Sequence, residues 1–254
     1  MKIVITDSKK IVQFTNVLRQ LSNIVNEINL YVNEDGIYMQ GMDSAQISLV
    51  ELTLTSEWFD EYETKKNEVL GIHTQTLFKV LSCMAEPQVI TMSSNNEDSL
   101  EITFEEDGTI PKYFVITLID FESEVLTIPE VEYELDLTMN VNKIQKLLSQ
   151  LSIFGETIDI SYSDTNMELK TIGDLGKMTV LLTDDLVEEL AIEEDIGKKT
   201  LSYSLKYFNE LCKFTKVSED LTMHINEGDP LKICYLLGTK NDNLKLYLAP
   251  KVVE

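Results

Sequence analysis

Residues 8–22 read SKKIVQFTNVLRQLS, and residues 140–152 read NVNKIQKLLSQLS. The first places Ile11, Phe14, Val17, Leu18 and Leu21 at the three-and-four spacing of an amphipathic helix, with Ser8 as its N-cap. Val17–Ser22 (VLRQLS) and Leu147–Ser152 (LLSQLS) agree at four of six positions, 130 residues apart. The same offset pairs Phe78 with Phe208, Leu81 with Leu211, Gly108 with Gly238 and Leu118 with Leu248. Recurrence of one spacing in separate places is the mark of a duplicated unit, here two similar halves of about 127 residues.

The pattern around these helices completes each half. Lys2–Thr6, Asn29–Val32, Ile37–Met39 and Ile47–Leu54 read as strands, with Asn33–Gly36 as a hairpin turn in which Glu34 and Asp35 are only turn residues. A second helix spans Thr74–Met84 and stops before Pro87, followed by strands Val89–Met92, Leu100–Phe104 and Tyr113–Leu118. The second half repeats the order: helix 140–152, strands Thr157–Tyr162, Met167–Thr171 and Met178–Thr183, helix 204–216, then strands 221–225, 231–236 and 244–248. Each half is an α+β unit, two helices with antiparallel strands. Between them Ile119–Leu137 holds seven acids, no Lys or Arg, and Pro129, which fits a connector running over the surface. The expected domains are 1–118 and 136–254, joined by a connector over 119–135.

Composition narrows the class. The chain has 254 residues, 43% of them hydrophobic, with 10 Gly and 5 Pro, enough to bury a core and too ordered for a low-complexity protein. No apolar run reaches bilayer length, and the start, MKIVITDSKK, lacks the apolar core of a secretory signal. Cys83, Cys212 and Cys234 are odd in number and scattered, which fits reduced thiols rather than a disulfide framework or a zinc knuckle.

The net charge of −23 would, as an average, repel nucleic acid, but the average conceals a partition. The helical segments 8–22, 74–84, 140–152 and 204–216 carry nine bases (Lys9, Lys10, Arg19, Lys79, Lys143, Lys146, Lys206, Lys213, Lys216) and one acid, Glu210. The rest of the chain holds 12 bases and 43 acids. The helices therefore sum to +8 and the remainder to −31. Lysine favours helices, but glutamate favours them about equally and is nearly absent from these. Four helices presenting a common basic face to a polyanion explain its exclusion, with phosphate contact as the chemistry. No aromatic platform accompanies the lysines, so base readout is not indicated.

Catalytic constellations are weak. His73 and His224 lie near no Ser or Cys in a nucleophile motif, and neither GxxxxGK[ST] nor GxGxxG occurs. The acidic runs at Glu105–Asp107, Asp184–Asp185, Glu188–Glu189 and Glu193–Asp195 read as solvated loops sooner than as a magnesium site. The expectation is no catalytic residue, no metal and no cofactor.

The stretch Gly36–Tyr62, GIYMQGMDSAQISLVELTLTSEWFDEY, resembles the most recognisable segment of proliferating cell nuclear antigen, the eukaryotic and archaeal sliding-clamp family, viral members included. Leu118–Glu122 with Leu126–Tyr133 resembles its connector, and Leu205–Asn209 and Leu246–Lys251 resemble two further signatures, all colinear along the chain. The resemblance implies the DNA-clamp fold, a homotrimeric ring of six domains whose helices line a channel threaded by duplex DNA. It implies a non-enzymatic processivity factor in DNA replication and repair. The implied partners are non-sequence-specific duplex DNA, further copies of the chain, a DNA polymerase, a clamp loader and PIP-type peptides of nucleases and ligases, with no membrane. The implied location is the nucleus, or a cytoplasmic replication site for a viral member.

By resemblance Lys10, Arg19, Lys79, Lys143, Lys146, Lys206, Lys213 and Lys216 face DNA, with Arg19, Lys79, Lys146, Lys206 and Lys213 foremost. The partner-peptide pocket takes Met42, Gln46, Ile47, Leu126, Ile128, Pro129, Pro230, Tyr247, Ala249 and Pro250, and subunits join through Tyr113, Phe114 and Ile116 on one strand and Met178 and Val180 on another. Without the resemblance, Met42 and Ile47 read as ordinary core. The chain also departs from the family pattern. Thr15, Asn16, Ser22, Ser82 and Ser149 are neutral where relatives are often basic, and Arg19 is basic where they are often acidic. Asp164 stands where many relatives carry a modifiable lysine, and Phe114 replaces a tyrosine. The competing reading is a clamp-like scaffold, monomeric or heteromeric, of checkpoint-clamp or viral accessory type. An acidic-site metal-dependent nuclease is the enzyme alternative.

Overall fold

The computed structural model describes residues 1–94, 98–164 and 166–251. Its elements run in two matching series. The first is β1 (Lys2–Ile5), α1 (Ser8–Leu21), β2 (Glu27–Asn33), β3 (Gly36–Met42), β4 (Ser48–Thr55), β5 (Glu61–Glu63), β6 (Glu68–His73), α2 (Thr74–Leu81), β7 (Val89–Ser93), β8 (Ser99–Glu105) and β9 (Lys112–Thr117). The second is β10 (Leu135–Asn140), α3 (Val141–Leu151), β11 (Thr157–Ser163), β12 (Asn166–Gly173), β13 (Gly176–Leu182), β14 (Glu189–Ile192), β15 (Lys199–Ser204), α4 (Leu205–Leu211), β16 (Asp220–Ile225), β17 (Leu231–Leu236) and β18 (Asn243–Leu248). One strand, a helix, five strands, a helix and three strands thus occur twice.

The pairing repeats as well. The first series gives strand orders β5-β1-β7-β8-β9 and β4-β3-β2-β6, and the second gives β14-β10-β16-β17-β18 and β13-β12-β11-β15. Adding nine to each strand of the first series reproduces the second. The register is antiparallel wherever it is defined, for example Ile102 opposite Phe114 and Leu169 opposite Val180. The chain divides into two compact units, one of residues 1–126 with 236–244, the other of residues 127–235 with 245–254.

Each unit builds its core from the periodicities of its own sequence. In the first, Ile11, Phe14, Val17, Leu18 and Leu21 bury one face of α1, and Leu77 and Leu81 bury one face of α2, which lies beside it. In the second, Val141, Ile144, Leu148 and Leu151 do the same for α3, and Leu205, Phe208 and Leu211 for α4. Alternate strand residues such as Leu100, Ile102 and Phe104 complete the interior, and each large apolar side chain so buried contributes about 1.5–3 kcal/mol.

Several details differ from the sequence reading. Asp7, not Ser8, caps α1: its side chain accepts from Lys10 N at 2.9 Å, while Ser8 is already the first helical residue. α2 stops at Leu81 and α4 at Leu211, so Lys213 and Lys216 lie beyond the last helix, Lys216 in a turn. In β4 the buried residues are Ser48, Val50, Leu52 and Leu54, with Ile47 just before the strand and half-buried. β10 begins at Leu135, and Leu135 and Leu137 are buried, so the end of the acidic run is core strand and not surface connector. Residues 119–133 belong to no helix or strand.

Candidate nucleic-acid and partner interfaces

The basic residues expected at DNA fall into two groups. Lys10 Nζ lies 3.4 Å from Asp60 and 5.7 Å above the Trp58 ring. Lys143 pairs with Glu188 at 3.0 Å, and Lys213 pairs with Glu210, the lone acid of the helical segments, at 2.5 Å. These three have their charge matched inside the protein. Arg19, Lys79, Lys146, Lys206 and Lys216 are exposed and have no acidic partner among the described residues. Arg19 and Lys79 occupy the last turns of α1 and α2, where the helix dipole also favours a cation, so part of their placement is local helix stability. The Lys206 ammonium lies 5.7 Å from the Tyr207 ring centroid.

The neutral positions on these helices have a local chemistry of their own. Asn16 donates to Val12 O, Ser22 to Arg19 O, Ser82 to Lys79 O and Ser149 to Gln145 O. Their polar groups turn back onto their own helices, whereas a lysine there would have reached outward.

Among the described residues β5, β6, β9, β13, β14 and β15 are neighboured by a strand on one side only. Exposed edges invite pairing with another chain, and four of these are protected. Ile119 N–H bonds Gly71 O at 2.9 Å and covers β6. The approach is close enough that a Cβ on Gly71 would lie 2.0 Å from Ile119 O, so only glycine fits. Lys251 N–H bonds Ser202 O at 2.7 Å and covers β15. β5 and β14 are three and four residues long and carry Glu61, Glu63 and Glu189. β9 and β13 are longer, and no backbone hydrogen bond covers their outer sides among the described residues. On β9 Tyr113 and Val115 are 66% and 70% exposed, Phe114 is half-buried against Phe104 at 5.4 Å between centroids, and Ile116 is buried. On β13 Met178 and Val180 are half-buried and Leu181 is 53% exposed.

The residues expected at the peptide site are held by side chains that the sequence reading did not single out. In the first unit Asp43 accepts from Ala45 N, Ile47 N, Ser48 N and Ser48 Oγ at 2.6–3.1 Å, and fixes the loop in which Gln46 takes φ 56°. Burial would raise the Asp43 carboxyl, but donation from Ser48, Ala45 and Ile47 outweighs it and holds the group below its ordinary range. Met42, the last residue of β3, and Gln46 within this loop are both exposed. Leu126 is 42% exposed, and its main chain is gripped by Gln40: Nε2 donates to Leu126 O at 3.0 Å, and Leu126 N donates to Oε1 at 2.7 Å. In the second unit Ile128, Ala249 and Pro250 are half-buried, Pro129 and Pro230 exposed, and Tyr247 buried. Asp43 could be suspected from its place in a turn, whereas Gln40 carries no sequence signal, because its partner lies 86 residues away.

Among the described residues no group of three His, Cys, Asp or Glu side chains is placed to hold a metal ion. His73 pairs with Glu27 at 3.3 Å, and His224 pairs with Asp136 at 2.6 Å and lies against Tyr133. Asp164 is exposed in the turn between β11 and β12.

Among the described residues each unit thus has two helices bearing cations without an acidic partner, and one open sheet edge, and comparison with family models supplies the family. The model of the proliferating cell nuclear antigen N-terminal domain matches residues 9–126, and that of its C-terminal domain matches residues 127–252. Members are non-enzymatic scaffolds that act in DNA replication, with DNA and replication proteins as partners. The chain therefore belongs to the proliferating cell nuclear antigen family of sliding clamps and processivity factors.

Proposed function

We propose that three copies of this chain close into a ring around duplex DNA and tether a polymerase and other replication and repair proteins to it. The observation that carries the reading is the pair of unprotected edges. β9 in one unit and β13 in the other differ in sequence, so their pairing is head-to-tail, the kind of interface that closes into a ring when the rotation allows. Apolar exposure on both strands supplies what such an interface buries. The exposed cations on the helices then act on phosphate without reading sequence, which permits sliding. No nucleotide-binding motif occurs in the chain, so a separate ATP-driven loader opens the ring. Met42, Gln46, Ile47 and Leu126 of the first unit take part in capturing PIP-type peptides.

Size-exclusion chromatography with light scattering tests the assembly. The expected species lies near three times 29.0 kDa. A species of 29.0 kDa at micromolar concentration would return the chain to the monomeric or heteromeric scaffold class.

A further inference from the structure

We propose that Gln40 is a positioning residue for partner capture: its amide clamps the main chain of Leu126 and holds the first part of the connector in a peptide-receptive conformation. The inference rests on the peptide-capture reading above and adds a residue to it.

The clamp is built from the sheet outward. Gln40 lies on β3 between Asn29 of β2 and Glu51 of β4, and is only 6% exposed. Its Nε2 donates both to Leu126 O at 3.0 Å and to Tyr38 Oη at 3.1 Å, and Tyr38 Oη donates to Glu51 at 2.9 Å. Burial, then the bond to Glu51, pushes the Tyr38 phenol up, so it stays a neutral donor. This chain of bonds fixes the amide's orientation: Oε1 is left to accept Leu126 N, and Leu126 is bound through both of its backbone groups, as a neighbouring strand would bind it.

A second fastening lies upstream. Asn29 Nδ2 donates to Phe121 O at 3.3 Å and Ser123 Oγ at 2.9 Å, and Ser123 Oγ lies 3.4 Å from Tyr31 Oη. Residues 121–126 are thereby tied at both ends to one sheet face although they form no strand. A segment without secondary structure that must present an apolar side chain loses affinity for each residue it orders on binding, and the clamp makes that ordering beforehand. The single N–H of Leu126 is already donated, so a peptide group that accepts from the connector must meet another residue's N–H.

The test measures affinity for a synthetic peptide with Gln, two residues, an aliphatic, two residues and two aromatics, together with amide hydrogen exchange. Gln40→Met keeps the volume and removes both bonds, and an affinity loss of about tenfold is expected, with faster exchange at Leu126 and unchanged exchange along β3 and β4. Gln40→Glu can accept from Leu126 N but, ionised, cannot donate to Leu126 O. Its deficit relative to the unmodified chain at the same pH should shrink between pH 8 and about 5, as the introduced carboxyl takes up the proton it needs to donate. That pH-dependent rescue is not expected of a side chain that merely packs, and it stands if Gln40→Met proves unstable. Unchanged peptide affinity in Gln40→Met, or a pH-independent deficit in Gln40→Glu, overturns the inference. If Leu126→Ala with Ile128→Ala also binds the peptide as the unmodified chain does, the capture reading itself falls.

Discussion

Asp60 shows how a single side chain far along the sequence fixes the start of a helix. Its carboxylate accepts from Thr6 N at 2.6 Å, Thr6 Oγ1 at 2.9 Å and Asp7 N at 3.2 Å, and so holds the segment that delivers the Asp7 cap to α1. Burial opposes ionisation, but the Thr6 and Asp7 donors and the charge of Lys10 outweigh it and bring the group down to about 2. A carboxyl depressed in the folded state stabilises above its unfolded value, here 3.8, and loses that contribution as pH falls through about 2. Asp60→Asn should therefore lower the urea midpoint at pH 7 and flatten its decline between pH 4 and 2. A variant whose decline is as steep as that of the unmodified chain would show that Asp60 does not carry the linkage. Local and non-local information separate cleanly at this scale. The sequence puts the α1 cap one residue late because Asp7 and Ser8 are both good capping types, and it hides Asp60 and Gln40 because their partners are distant along the chain. Lys213 is legible as a cation but not as a neutralised one, because α4 ends two residues earlier and turns it onto Glu210.

Among elements, helices with strong three-and-four periodicity and strands with alternating apolar residues are readable. Short, polar or acid-bearing strands are not: β5, β6, β14 and β15 give no clear signal, and they exist because a neighbouring strand pairs with them, as Leu70 does opposite Leu30 and Ile192 opposite Leu135. The same contrast separates the two edges assigned to the proposed interface. Strands that need no partner are short, acid-bearing or covered, whereas β9 and β13 are longer, uncovered among the described residues and charged only at Lys112 and Lys177 near their starts. Phe114 is the sensitive point on β9, half-buried and tilted onto Phe104. Phe114→Glu would place a carboxylate where the proposed interface closes, with no cation to meet it on β13 except Lys177 at the strand's start. The expected result is a folded monomer by light scattering with an unchanged far-ultraviolet dichroism spectrum. A trimer that survives the substitution would show that β9 is not the joining strand.

For the whole molecule the question is how a chain of net charge −23 holds a polyanion. Repulsion is long-ranged but screened within about 8–10 Å at physiological salt, so acids beyond that distance from a phosphate matter little. What counts is the set of cations free to meet phosphate, and internal ion pairing has already withdrawn Lys10, Lys143 and Lys213 from it. Arg19, Lys79, Lys146 and Lys206 remain on the helices, with Lys9 in the first turn of α1 and Lys216 beyond α4. So few cations predict weak unassisted binding to linear duplex, in the non-specific range of about 10⁻⁴–10⁻⁶ M, which leaves processivity to the proposed ring closure. Replacing Arg19, Lys79, Lys146 and Lys206 together with Ala should leave the assembly and peptide binding intact and abolish polymerase stimulation on long templates. It should also flatten the log–log salt dependence of DNA binding by roughly 0.9 for each phosphate that is no longer neutralised. Lys213→Ala should change that slope far less than Lys206→Ala, because its charge is already matched by Glu210. Equal effects from the two single substitutions would mean that the ion pair opens on DNA and that the split between matched and free cations does not govern binding. Full stimulation by the fourfold variant would mean that the helices do not face the template at all.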